Sequence, residues 1–230
     1  MTKSGHTVRL LWSDFKPLNR NQLVTEYLFC YKLEMPRPRT HTKESLIEAA
    51  MHRFWRYGYV ATSMDDLVKA TGVSRHGIYS DVGGKRELFL EGFDIYQNTV
   101  VTPGLNAMEK AASGLSGIQS YFETQIALAE SGGLPGPGCL VANAMTETAP
   151  HDEDVAAQVA AHNARLTSAF MAAITRAAPK LPQQERKALS TFLTLTAQGL
   201  WSMSRTIDQA STLHDYVGTL MDILERRLPQ

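Results

Sequence analysis

The chain has 230 residues, 43% hydrophobic and 20% charged, with a formal net charge of zero. That is the composition of an ordinary folded protein and excludes the disordered and fibrous classes. Two cysteines, Cys30 and Cys139, give neither a disulfide framework nor metal-ligand spacing. No apolar run reaches the roughly 18 residues of a membrane span, and no signal peptide opens the chain. A reduced, cytoplasmic protein with no membrane partner is therefore expected.

Charge is unevenly spread. Residues 36–90 hold nine Lys/Arg against six Asp/Glu, whereas residues 91–230 hold nine against fourteen. A basic front and an acidic back suit a chain that presents one end to a polyanion.

Residues 1–34 carry no sustained period. They read as an upstream extension or start-site artefact, with Met35 as the natural start; a genuine extra segment packed on the body is the alternative. A Pro/Arg arm with Arg37 and Arg39 follows, suited to DNA backbone or minor groove. From there the pattern is helical throughout. Leu46, Ile47, Ala50, Met51 and Phe54 recur at helical spacing, and Gly58 supplies the stop. Thr62 reads as the next N-cap, with Asp65 completing a capping box. Met64, Leu67 and Val68 form the buried face of this short helix, which ends at Gly72. Ser74 caps a third helix, Arg75–Ser80, with Ile78 turned inward. Gly83 and Gly84 end it, and Lys85 opens a long fourth helix that Thr102-Pro103-Gly104 bends or ends.

Further helices are expected over Ser116–Ser131, Cys139–Ala149, Asp154–Ala178, Gln183–Ile207 and Leu213–Arg227. The run Gly132–Gly138 (GGLPGPG) forbids helix. No alternation suggests a sheet, and no internal repeat is present. The expected fold is all-α: a helix-turn-helix domain over 35–84 and a larger helical body over 85–230.

Two short helices joined by a Gly-containing turn make a helix-turn-helix, whose second helix enters the major groove with its early residues on the base edges. Arg75 and His76 hold those positions. Arginine can donate two hydrogen bonds to one guanine, a discrimination of about 1–3 kcal/mol. Thr62, Ser63, Ser74, Tyr79 and Lys85 flank them as phosphate partners. Each has a plainer reading as a capping, core or solvated side chain.

The string LIEAAMHRFWRYGYVATSMDDLVKATGVSRHGIYSDVGGKRELF, residues 46–89, resembles the TetR-type transcriptional regulators. The likeness lies in A-x-x-x-F and G-Y of the first helix, T-S-x-x-D-L of the second, G-V-S-x-x-x-I-Y of the turn and recognition helix, and G-x-K-x-x-L-F opening the fourth. Beyond about Gly92 the likeness is one of helix number and layout. The resemblance implies a homodimer on palindromic double-stranded operator DNA, with a small-molecule effector in a cavity of the body. It also implies a four-helix dimer interface from the last two helices. Asp81 departs from the pattern, standing where the family usually has an aromatic. Either operator contact is weakened, or Asp81 caps the fourth helix near Lys85.

Candidate cavity residues are Tyr121, Phe122, Gln125, Met145, His162, Phe170, Trp201 and Met203, which suit an apolar or aromatic effector; most could equally be core. Leu195, Gly199, Leu220, Met221 and Leu224 are expected at the dimer seam. Cys139 falls at a helix start, where the dipole lowers a thiol pKa, so it is either a redox or electrophile sensor or a small buried hydrophobe. His162 with Glu147 or Asp152 matches no metal-ligand pattern, so no metal or cofactor is expected. No nucleophile motif, phosphate loop or paired carboxylates point to an enzyme. The leading expectation is a ligand-responsive repressor. The alternatives are a helix-turn-helix dimer with weakened DNA binding, or a thiol-based sensor.

Overall fold

The structure, a computed structural model, describes residues 41–228. The extension 1–34, Met35, Cys30 and the arm residues Arg37 and Arg39 lie outside the described residues.

Three short helices form the head: α1 (Lys43–Tyr57), α2 (Met64–Thr71) and α3 (Arg75–Asp81). Thr42 and Ser45 make a capping box at the start of α1. Gly58 ends α1 at φ +87°, a conformation L side chains rarely adopt. The cap of α2 corrects the sequence reading by one residue. Ser63, and not Thr62, accepts from the Asp66 amide, and Asp66 answers with a carboxylate on the Ser63 amide. Thr62 is instead fully buried and donates its hydroxyl to the Gly58 carbonyl at 2.7 Å. Ser74 caps α3 as expected, accepting from the Gly77 amide. Leu46, Ala50, Phe54, Leu67 and Ile78 close the head's core, each at most 1% exposed.

Lys85 opens α4 (Lys85–Tyr96), which runs through a π-helical turn, Gln97–Val101, into α5 (Thr102–Lys110). The expected break at Thr102-Pro103-Gly104 is thus absorbed without ending the helix. Proline lacks an N–H for the helical ladder, and the Thr102 hydroxyl donates to the Gln97 carbonyl at 2.7 Å across the wide turn.

The body comprises α6 (Gly114–Gly132), α7 (Leu140–Glu147), α8 (Glu153–Ala177), α9 (Gln183–Met203) and α10 (Ala210–Arg227). Helix α6 packs on α5, α8 and α10, and α8 packs on α9. The α6–α8 approach is close: a Cβ on Gly114 would overlap the Ala173 carbonyl. Phe122 and Phe170 stack at 6.1 Å in this core. Among the described residues there is no strand, and no helix is long and apolar enough to cross a membrane.

Candidate nucleic-acid interface and interior cavity

The outer face of α3 is built as the sequence predicts. Arg75, His76 and Tyr79 are exposed, with Ile78 turned inward. Arg75 Nη2 donates to Asp65 Oδ1 at 2.9 Å, both side chains well exposed. Such a surface pair is worth about 0–1 kcal/mol, so exchanging Asp65 for a guanine edge or a phosphate costs little. Ser63 and Ser74 are exposed at the front of α2 and α3, their hydroxyls engaged in capping. Thr62 is withdrawn, because its hydroxyl is buried on Gly58. The Lys85 ammonium sits over the Tyr59 ring, 4.2 Å from its centroid. Partial burial lowers its pKa, and the Glu147 charge works against that shift.

Asp81 does not cap α4. The cap position there is Gly84, which offers no side chain. The Asp81 carboxylate lies 2.8 Å from His41 Nε2, mostly buried between α3 and the start of the chain's described part. Paired in this way, it is not a lone charge facing phosphate.

Head and body are joined by contacts between residues far apart in sequence. Glu147, at the C-terminal end of α7, accepts from the Tyr59 and Val60 amides at 2.9 and 2.8 Å. One carboxylate thus satisfies two N–H groups of the α1–α2 turn, bonds of the stronger, charge-assisted kind. At the other end of α7, Trp55 Nε1 donates to the Gly138 carbonyl at 2.8 Å, and Asn143 Nδ2 donates to the Pro137 carbonyl at 3.0 Å. Arg86 forks onto Asp152 at 2.7 and 2.9 Å and reaches Asp154 at 2.6 Å. Hydrogen bonding from Arg86 holds the Asp152 carboxyl below its usual range.

Behind the head lies a cavity of about 370 Å³. Tyr121, Gln125, His162 and Trp201 line it, together with His52, Trp55 and Arg56 of α1 and the Gly136–Cys139 loop that leads into α7. Phe122 and Phe170, expected on the wall, are fully buried behind it. Met145 and Met203 are 38% and 59% exposed and face outward. Helical spacing alone does not separate these three environments. Sequence reasoning missed Trp55 and Tyr96 as lining residues and the hold of Glu147 on the head, because their partners lie dozens of residues away.

Cys139 lines the cavity as well, at the N-cap of α7, its sulfur accepting from the Ala142 amide at 3.5 Å. Burial pushes its thiol pKa up, against the downward pull of Tyr96 and the helix-start amides. The expectation of a thiolate favoured by the dipole is therefore corrected: desolvation outweighs the helix end. Among the described residues no cluster of His, Cys, Asp or Glu could hold a metal ion.

The expected dimer seam also divides. Leu195 is 67% exposed and Gly199 is open on the outer face of α9. Leu220, Met221 and Leu224 are buried within the protomer, on the face of α10 turned toward α6. The outward apolar residues are Phe192, Leu195, Met203, Tyr216 and Ile223. On α10 the residues expected at the seam thus face the interior of the protomer.

Residues 46–91 match the family model described as bacterial regulatory proteins, tetR family. The HTH-type transcriptional repressor ComR of Escherichia coli (strain K12) is 26% identical over 205 residues, covering 86% of this chain and 96% of that protein. The uncharacterized HTH-type transcriptional regulator YezE of Bacillus subtilis (strain 168) is 24% identical, covering 83% of this chain and all of that one. A solved cysteine mutant of the TetR family regulator CifR, complexed with 26-bp double-strand operator DNA, superposes with a TM-score of 0.73. Its identity is 22%, with coverage of 84% of this chain and 100% of that one. A TetR family regulator from Agrobacterium tumefaciens gives 0.69 at 16% identity, covering 82% of this chain and 97% of that chain.

Proposed function

We propose that this chain, whose residues 46–91 match the tetR family model of bacterial regulatory proteins, is a homodimeric, effector-controlled repressor of transcription acting in the cytoplasm. The helix α3 enters the major groove with Arg75 and His76 on base edges, and Ser63, Ser74, Tyr79 and Lys85 flank them along the backbone. The exposed apolar face of α9 and α10 pairs with its copy. That pairing holds two heads at the spacing of one DNA turn, about 34–36 Å.

The observation that carries effector control is the construction of the cavity. Its wall includes Trp55 of the head and the loop that starts α7, and the far end of α7 holds the head's turn through Glu147. A compound filling the cavity pushes on Trp55 and on the loop. The short, stiff α7 carries the displacement to Glu147, and the heads leave their register on the operator. The complexed relative supports the DNA partner, and the pairing of Asp81 with His41 weighs against the reading of a blunted recognition helix.

A gel shift of the full chain on the DNA upstream of its own gene, at two salt concentrations, tests this function. A specific complex is expected, weakening steeply with salt because phosphate contacts release counterions, and lost in Arg75→Ala. Equal binding of random DNA by wild type and Arg75→Ala would overturn it.

A further inference from the structure

Arg165 Nη1 donates to Gln97 Oε1 at 3.1 Å, which turns the amide so that its nitrogen meets His162 Nδ1 at 2.8 Å. An amide nitrogen donates only, so Nδ1 accepts and the ring carries its proton on Nε2. Burial, aided by the Arg165 charge, holds His162 neutral, its pKa down at about 4. His162 therefore offers a neutral N–H on the cavity wall, set by a partner that the π turn of α4–α5 presents.

Trp201, 8% exposed, also lines the cavity, with the Tyr121 hydroxyl as the polar neighbour of its buried indole. Burial drives the Tyr121 pKa above the usual range, and hydrogen bonding from the indole pulls it back. Gln125 Nε2 is already engaged with the Val100 carbonyl at 3.0 Å. Among the described residues no Asp or Glu lines the cavity. Its charged lining side chain is Arg56, which is exposed.

We infer that the effector is an uncharged aromatic compound carrying a carbonyl-type oxygen, which accepts from the His162 N–H group. A cation finds no carboxylate in this cavity. A carboxylate loses its hydration and meets only neutral donors at the buried end, a poor exchange for an ion. Aromatic and aliphatic walls take the flat ring system, and the neutral His162 N–H takes the oxygen. The regulatory meaning of this ligand rests on the proposed function; its chemistry rests on the cavity alone.

Four matched probes test the chemistry: naphthalene, 1-acetylnaphthalene, 1-naphthoate and 1-naphthylmethylammonium. Binding to the full chain is read from quenching of tryptophan fluorescence, since Trp55 and Trp201 both line the cavity. The ketone is expected to bind tightest and the ammonium at least about 10-fold more weakly. In His162→Phe the ketone weakens about 10-fold while naphthalene stays within about twofold, with Trp55 and Trp201 as the reporters in the cavity wall. His162→Leu repeats the comparison should His162→Phe fail to fold, as judged by its helical circular dichroism.

Tightest binding of the ammonium or the naphthoate would overturn the inference. So would equal weakening of ketone and naphthalene in the variants, or binding of none of the four. Release of upstream DNA is followed separately. If the ketone binds by this pattern and DNA stays bound, the effector reading fails and the ligand class stands. If the ammonium binds and releases DNA, the class fails and the effector reading stands.

Discussion

At residue scale the most consequential side chain is His162. It is 4% exposed, and burial lowers its pKa from the ordinary 6.5 to about 4. A depressed folded-state pKa means that the unfolded chain takes up the proton first. The resulting stability is complete above pH 6.5 and is lost as the pH falls toward 4. Between pH 7 and 5 this one residue is expected to remove about 2 kcal/mol. Urea unfolding of wild type and His162→Gln across that range checks it: the wild type should lose stability more steeply. Parallel slopes would mean that the ring is not held neutral. His162 was legible in the sequence as a cavity candidate. Its tautomer was not, because that depends on Gln97 and Arg165, brought together by a π turn that no periodicity announces. The roles of Trp55 and Glu147 were missed for the same reason: their partners are 83 and 87–88 residues away.

At the scale of elements, local chemistry decided most of what the sequence gave away. Apolar spacing and glycine stops located the helices of the head, because those signals act within one or two turns. The cap of α2 was misplaced by one residue, since Thr62 and Ser63 are both good caps in sequence. Tertiary structure separates them: burial of Thr62 on the Gly58 carbonyl leaves Ser63 to meet Asp66. Ser63→Ala is therefore expected to cost about 1 kcal/mol. It should also raise the Asp66 pKa toward its ordinary value, since hydrogen bonds from Ser63 are the main cause of the depression. Thermal unfolding and an NMR titration of Asp66 check both effects. An unchanged Asp66 titration would contradict the assignment of the cap. Cys139 shows the limit of reading an element end by its dipole. The helix start is where the sequence puts it, but the surrounding walls bury the sulfur and reverse the direction of its shift.

For the whole molecule, the two-part helical plan could be read from the helix-turn-helix string and the helix layout, but the outward and inward faces of the last helix could not. An amphipathic pattern gives the apolar stripe, not what covers it. The structure buries Leu224 within the protomer and exposes Leu195. Leu224→Ala should destabilise the fold by about 2–5 kcal/mol through the cavity it leaves. Leu195→Glu should leave helicity intact and yield monomers in sedimentation. A dimer that survives Leu195→Glu would place the pairing surface elsewhere.

The central claim is that cavity and operator communicate through α7. The direct measurement is operator affinity, by fluorescence anisotropy, with and without 1-acetylnaphthalene at saturating cavity occupancy, in wild type and Glu147→Ala. In wild type the ligand should weaken operator binding about 10-fold or more, and the operator should weaken ligand binding by the same factor, as linkage requires. In Glu147→Ala the operator should already bind weakly, and the ligand should add little. Unchanged operator affinity in wild type with the cavity filled would contradict the account.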